Sequence, residues 1–197
     1  VVGHGHDLDY VLGYTHVGND QVHWLSGVRV LVVDDSRLNL DVIGRVLNLE
    51  GAQATLRESG EEALDTLHAT PQGFDLVLMD LQMPGLDGCQ TTERIRQQAV
   101  WAKLPVIALT AGATATEQQR AMAAGMDDLL VKPVDPVKLV RVLRQHVERS
   151  QGRILPVVAA RRRDLSLHRD EVLADDDWPA LPDIQIDEVR DRLGGDR

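Results

Sequence analysis

Four short apolar runs in this chain end in polar residues whose types could together accept a phosphoryl group. They are Val30-Leu31-Val32-Val33-Asp34-Asp35, Leu76-Val77-Leu78-Met79-Asp80, Pro105-Val106-Ile107-Ala108-Leu109-Thr110 and Leu129-Leu130-Val131-Lys132-Pro133. Three carboxylates brought together either raise one another's pKa or demand a cation. A hard divalent ion with oxygen ligands answers that demand. Mg²⁺ suits a site with few protein ligands, several waters and a phosphate. Asp80 is the candidate nucleophile, because it closes a strongly apolar run and precedes the turn Met83-Pro84-Gly85. A carboxylate can take up phosphoryl covalently as an acyl phosphate. Lys132 can pair with Asp80 and later with a phosphate oxygen. The bond from Lys132 to Pro133 can be cis at low cost, which would aim the lysine inward. The Thr110 hydroxyl can donate to a phosphate oxygen, and Ala111-Gly112-Ala113 leave it room to move. Each residue also has a plainer reading: an acid that caps the next helix, a solvated lysine, a loop threonine. The coincidence of four run ends favours the site.

Such a convergence needs a parallel sheet, since open sheets of this kind bind ligands outside the carboxyl ends of their strands. The pattern predicts strands at 29–33, 52–56, 75–79, 105–109 and 128–131. Helical periodicity fills the intervals. Residues 36–49 place Leu38, Val42, Val46 and Leu49 on one face behind Ser36 as N-cap. Residues 60–69 turn Ala63, Leu64 and Leu67 inward. Residues 88–99 turn Ile95 and Ala99 inward behind Asp87. Residues 114–124 end at Gly125, a C-terminal signal. Residues 135–148 bury Leu139, Val142, Leu143 and Val147 behind Asp135. Five strands alternating with five helices predict an α/β doubly wound five-stranded parallel sheet with helices on both faces. The expected strand order is the flavodoxin-like 2-1-3-4-5. It sets the strands ending in Asp34-Asp35 and Asp80 side by side at the switch point.

Composition narrows the function. A net charge of −10 argues against a nucleic-acid-binding surface. A single cysteine, Cys89, rules out an internal disulfide framework and fits a reducing, cytoplasmic setting. No apolar run is long enough to span a bilayer, so no direct membrane contact is expected of this stretch. Aromatic residues make up only 3% of the chain, so aliphatic side chains must fill the core. Residues 1–27 carry five glycines and His4, His6, His16 and His23 without metal-ligand spacing. They read as a leader or the remnant of an upstream domain. With Val1 in place of a starting Met, the chain looks like a fragment of something longer. Residues 28–149 form the domain. Residues 150–197, with Arg161-Arg162-Arg163, Asp175-Asp176-Asp177 and three prolines, read as a linker.

The stretch 27–149 resembles the receiver domain of two-component signalling proteins. The likeness rests on Val30 to Asp35, on Leu78-Met79-Asp80-Leu81-Gln82-Met83-Pro84-Gly85-Leu86-Asp87-Gly88, on Ala108-Leu109-Thr110-Ala111, and on Ala124-Gly125-Met126-Asp127-Asp128 through Lys132-Pro133. It implies Asp80 as phosphoacceptor and Asp34 and Asp35 as Mg²⁺ ligands, with the Gln82 backbone carbonyl beside Asp80. It further implies Thr110 as the switch hydroxyl, with Ala111 next to it at the binding site, and Lys132 as the ammonium typical of the family. One position departs: receivers often carry Tyr or Phe three residues before the lysine, and here Leu129 stands there. Cys89 occupies a place where many relatives have Tyr, and packing is its expected role.

The wording of these motifs is most similar to receivers of hybrid sensor histidine kinases. In the tail, Leu181-Pro182-Asp183-Ile184-Gln185-Ile186-Asp187 resembles the start of a histidine-phosphotransfer domain, cut before its histidine. The implied function is a phosphorelay receiver. Its partners would be the phosphohistidine dimerisation domain of a kinase and a histidine-phosphotransfer domain, within a protein that can itself be membrane-anchored. Two other classes compete. One is a docking module that works without phosphate. The other is a Mg²⁺-dependent phosphatase, which needs a second acid–base carboxylate where the chain has Gln82.

Overall fold

A computed structural model describes residues 22–112 and 114–159. The chain divides after Arg161, and everything described belongs to the part before it. The five strands are β1 Arg29–Val33, β2 Gln53–Arg57, β3 Leu76–Asp80, β4 Val106–Thr110 and β5 Asp128–Val131. The helices between and after them are α1 Arg37–Leu49, α2 Gly60–Ala69, α3 Gly88–Arg96, α4 Ala115–Ala123 and α5 Pro136–Gln151. The sheet runs β2-β1-β3-β4-β5, as expected, and every pairing in it is parallel. β2, β3 and β4 begin one residue later than the sequence pattern indicates.

Alternate residues of each central strand point to opposite faces, and both faces are covered. Val30, Val32, Leu76, Leu78, Ile107 and Leu109 pack against α1 and α5. Leu31, Val33, Val77, Met79, Val106 and Ala108 pack on the other side, against α2, α3 and α4. Every residue of β3 and β4 is buried, which explains runs of apolar residues without polar alternation.

Local signals set the helix starts. Ser36, Ser59, Asp87, Thr114 and Asp135 each accept a hydrogen bond from the backbone N–H three residues on. Gly88 has a further reason to be glycine. A Cβ on it would lie 2.0 Å from the backbone oxygen of Asp80, so the start of α3 presses directly on the end of β3.

Two expectations are corrected. On α1 the buried face is Leu40, Ile43, Gly44 and Leu47, whereas Leu38 and Leu49 are 72% and 59% exposed and Val42 is exposed as well. Val46 packs at the border. Apolar residues line both sides of this helix, so periodicity alone admits two faces. Docking against β1 and β2 selects the one that is buried. The third helix ends at Arg96, and Ala99, expected inward, is exposed in a 3-10 turn, Ala99–Trp101. That turn lets Trp101 bury, donate from its Nε1 to the Pro71 carbonyl at 3.0 Å, and stand edge-on to His68.

Helix α5 continues to Gln151 and closes on Gly152 in the left-handed region (φ 63°). The short strands Val22–His23 and Val158–Ala159 pair antiparallel beyond the edge of the sheet opposite Asp80. The readings for residues 1–21 and 160–197 lie outside the described residues.

Exchanging α1 side chains checks the corrected face. Leu47→Ala is expected to cost about 2–5 kcal/mol in urea unfolding, and Leu38→Ala less than about 0.5 kcal/mol. The reverse ranking would restore the face expected from sequence.

Candidate functional site

The carboxyl edge of the sheet gathers the charged residues into one crevice. Asp34 and Asp35 follow β1, Asp80 closes β3, Thr110 closes β4 and Lys132 follows β5. The register fixes their neighbourhood: Val33 lies opposite Met79, Asp80 opposite Leu109, and Thr110 opposite Val131. The Lys132 N–H donates to the Thr110 carbonyl at 2.7 Å, which extends the ladder to the lysine itself. The bond to Pro133 is cis.

Lys132 Nζ lies 2.6 Å from Asp34 Oδ2 and 2.7 Å from Asp80 Oδ2. Both carboxylates are buried, Asp34 completely, whereas Asp35 is exposed. Carboxylate oxygens of all three aspartates lie within 4.8 Å of one another. The remaining bonds hold the buried pair rigid. Asp34 Oδ1 accepts from the Ser36 N–H and from Asn39 Nδ2, each at 3.0 Å. Asp80 Oδ1 accepts from the Gln82 N–H at 3.1 Å. Asp35 stands exposed beside them at the crevice.

Burial pushes the Asp80 carboxyl above its ordinary value, and nearby Asp34 adds to the rise. The Lys132 bond and the Gln82 N–H oppose it without cancelling it. For Lys132, burial alone would lower the ammonium, but its bonds to Asp34 and Asp80 outweigh that and hold it above its usual range. Three carboxylates thus face one ammonium, and the negative excess matches a divalent cation bound by oxygen.

The crevice therefore unites Asp34, Asp35, Asp80 and Lys132. Thr110 is buried, with its hydroxyl engaged in its own loop: it donates to the Gly112 carbonyl at 2.8 Å and accepts from the Gly112 N–H at 3.2 Å. Ala111 and Gln82 sit exposed on the rim. Sequence reasoning missed Asn39, whose amide holds Asp34. Its place in the first turn of α1, five residues after the aspartate, was the available signal. It also missed the rim contacts between the loop after Asp80 and α4. There Arg120 bridges to Asp87 at 2.6 Å, and Gln82 Nε2 reaches Glu117 at 3.5 Å.

Residues 30–144 match the response regulator receiver domain. The chain belongs to the response regulator receiver family. Among curated relatives, the sensor histidine kinase GacS of Pseudomonas protegens is 39% identical over 171 residues, covering 84% of this chain and 18% of the kinase. The receiver thus spans less than a fifth of that relative's length. Among solved structures, the receiver domain of sensor histidine kinase PA1611 from Pseudomonas aeruginosa is 36% identical. Its TM-score is 0.57, and the match covers 62% of this chain and 98% of that one. That structure carries a magnesium ion coordinated in its active-site cleft. The receiver domain of Ssk1 from Saccharomyces cerevisiae, solved with the histidine phosphotransfer protein Ypd1, is among the structural neighbours. It shows 26% identity, TM-score 0.57, and coverage of 64% of this chain and 93% of that one.

Two departures of this receiver have a structural answer. Leu129 is half-buried and packs beside the core formed by Leu31, Met79 and Ala108. Its side chain thus fills space on the face that carries α4. Cys89 is buried among Leu81, Met83 and Ile95, and burial pushes its thiol up, away from the thiolate that redox chemistry uses.

Burial of the Asp80 carboxylate, with the charge of Asp34 beside it, carries a stability cost that a neutral side chain removes. A carboxyl raised above its unfolded value opposes folding once ionised. Treated with chelator at neutral pH, Asp80→Asn is therefore expected to melt above the wild type. A lower melting temperature would mean that the Lys132 bond outweighs the cost of burial.

Proposed function

We propose that this receiver accepts a phosphoryl group from a phosphohistidine onto Asp80 and relays it within a hybrid sensor histidine kinase. The observation that carries the reading is the Lys132 ammonium, 2.6 and 2.7 Å from two buried carboxylates, with a third carboxylate open to solvent beside them. An exposed ion pair would be a weak argument. A half-buried cation shared by two buried acids at the end of four strands is an arrangement built for an incoming anion.

Asp34, Asp35, Asp80 and the Gln82 carbonyl would hold Mg²⁺. When bound, the ion supplies positive charge for the oxygens of the transferring group. The protein's own residues do the rest. Asn39 and the Ser36 N–H keep Asp34 fixed. The Gln82 N–H holds one oxygen of Asp80 and so orients the carboxylate. An Asp80 oxygen forms a bond to phosphorus as the bond from phosphorus to the donor imidazole nitrogen breaks, and the imidazole leaves. Lys132 moves from carboxylate to phosphoryl oxygen and offsets the charge gathered there. The Thr110 hydroxyl exchanges its loop partner, the Gly112 carbonyl, for the phosphoryl group, with Ala111 alongside. The loop that leads to α4 is thereby drawn in, which biases a two-state surface.

The donor is the phosphohistidine domain of a kinase, and a histidine-phosphotransfer domain is the next acceptor. The match to GacS, which runs well past residues 30–144, supports this setting. So does the Ssk1 receiver crystallised with Ypd1. In this reading the receiver is built on residues 28–149, the chain before residue 22 comes from an upstream domain, and the chain after residue 159 leads into the phosphotransfer domain. The receiver works in the cytoplasm. No described helix is long and apolar enough to cross a membrane.

Intact mass after incubation with Mg²⁺ and a small acyl phosphate is the test. One phosphoryl adduct is expected, absent in Asp80→Asn and without Mg²⁺. Lys132→Ala should slow labelling by on the order of 10²-fold. An adduct that persists in Asp80→Asn would overturn the assignment, and a Lys132→Ala variant labelled at the wild-type rate would remove Lys132 from it.

A further inference from the structure

The edge of the sheet opposite Asp80 carries an arrangement that phosphoryl transfer does not use. Residues 22–28 approach β1, and residues 152–158 leave α5, at the sheet edge opposite Asp80. Neither stretch trails away. Leu25 and Leu155 are buried in the same core cluster as Leu47, Leu143 and Val147. The incoming backbone is bonded along its length: the Leu25 N–H donates to the Glu50 carbonyl at 2.9 Å, and the Gly27 N–H to the Gly51 carbonyl at 3.0 Å. His23 Nδ1 lies 2.8 Å from the Leu49 carbonyl, so that nitrogen carries the proton. The outgoing backbone is bonded too, with the Leu155 N–H donating to Glu148 Oε1 at 2.8 Å. Beyond these points the two segments pair antiparallel, Val22 with Ala159 and His23 with Val158.

One side chain joins the two. Arg144, on α5, donates through Nη1 to the Trp24 carbonyl at 2.9 Å and through Nη2 to the Leu155 carbonyl. Its guanidinium lies 5.8 Å from the centroid of the Trp24 ring and is paired at 2.9 Å with Glu148. The Arg144 side chain is only 13% exposed, so water competes little for these bonds. Arginine suits this position because its planar fork can donate in several directions while its face stacks on an aromatic ring.

We propose that residues 22–28 and 153–158 form a clasp, locked by Arg144, that belongs to the folded receiver. The clasp fixes the incoming and outgoing chain side by side at the edge opposite the phosphoacceptor. The receiver is then attached to the rest of its polypeptide through a single two-stranded stalk. The crevice is left facing away from both attachments. The inference does not depend on phosphoryl transfer, and a receiver that never took up phosphate would carry the same clasp.

Hydrogen exchange on the full chain, followed by mass spectrometry, tests it. In the wild type the peptides covering 22–28 and 153–159 should be protected. Arg144→Met keeps much of the aliphatic stem and removes every donor. It should speed exchange of both peptides together, at least about tenfold, while the peptide covering β3 stays protected and labelling of Asp80 is unchanged. Glu148→Ala is the milder variant if Arg144→Met loosens the whole domain. It withdraws the anchor of Arg144 and the acceptor of the Leu155 N–H, and it too should release both peptides. Release of one peptide alone, release of neither, or unprotected exchange of both in the wild type would each overturn the clasp.

Discussion

The sharing of one ammonium between two buried carboxylates is the interaction on which the rest of this structure turns. Asp34 and Asp80 lie where water scarcely reaches, so their charges cannot be screened by solvent. Lys132 meets both at hydrogen-bond distance, and bonds from Ser36, Asn39 and Gln82 take up the remaining oxygens. The compensation is incomplete, as the raised Asp80 carboxyl shows. An incompletely neutralised pocket of acids attracts a cation. With that cation bound it can also receive an anionic phosphoryl group that the bare acids would repel.

Holding that balance requires strand ends aligned to a fraction of a residue. A sheet with both faces covered provides such alignment, because a one-residue slip would turn every apolar side chain of a strand to the wrong face. In β3 and β4, where every residue is buried, a slip would also drag Asp80 or Thr110 out of the crevice. The close approach at Gly88 tightens the arrangement further, because α3 can begin only where Asp80 leaves room for it. Stability and function therefore draw on the same register.

The two ends of the sheet serve different purposes. At the carboxyl edge, short loops leave charged groups facing a crevice. At the opposite edge, Leu25 and Leu155 complete the core and Arg144 ties the flanking segments together. Membership of the receiver family, established over residues 30–144, accounts for the first. The second depends on residues outside that stretch and on an arginine that bonds two main-chain carbonyls.

Much of this was legible in the chain alone, for definable reasons. Asp34, Asp35, Asp80, Thr110 and Lys132 could be assigned to one edge because each ends an apolar run, and parallel topology sends all such ends the same way. Strand order followed from the alternation of strands and helices. Helix starts were legible at Ser36, Asp87 and Asp135 because capping is a local interaction. The buried face of α1 was not, since Leu38 and Val42 are as apolar as Leu40 and Ile43, and only the neighbour that a helix packs against distinguishes the two sides. Arg120 acts on a partner 33 residues away, and Arg144 bonds to backbone oxygens 120 and 11 residues away that no side-chain pattern announces. Periodicity and local caps thus determined which elements form and which residues stand at their ends. Long-range packing decided which faces are buried, how the charge of Asp80 is shared, and where the domain stops, because those depend on contacts made only when distant segments meet.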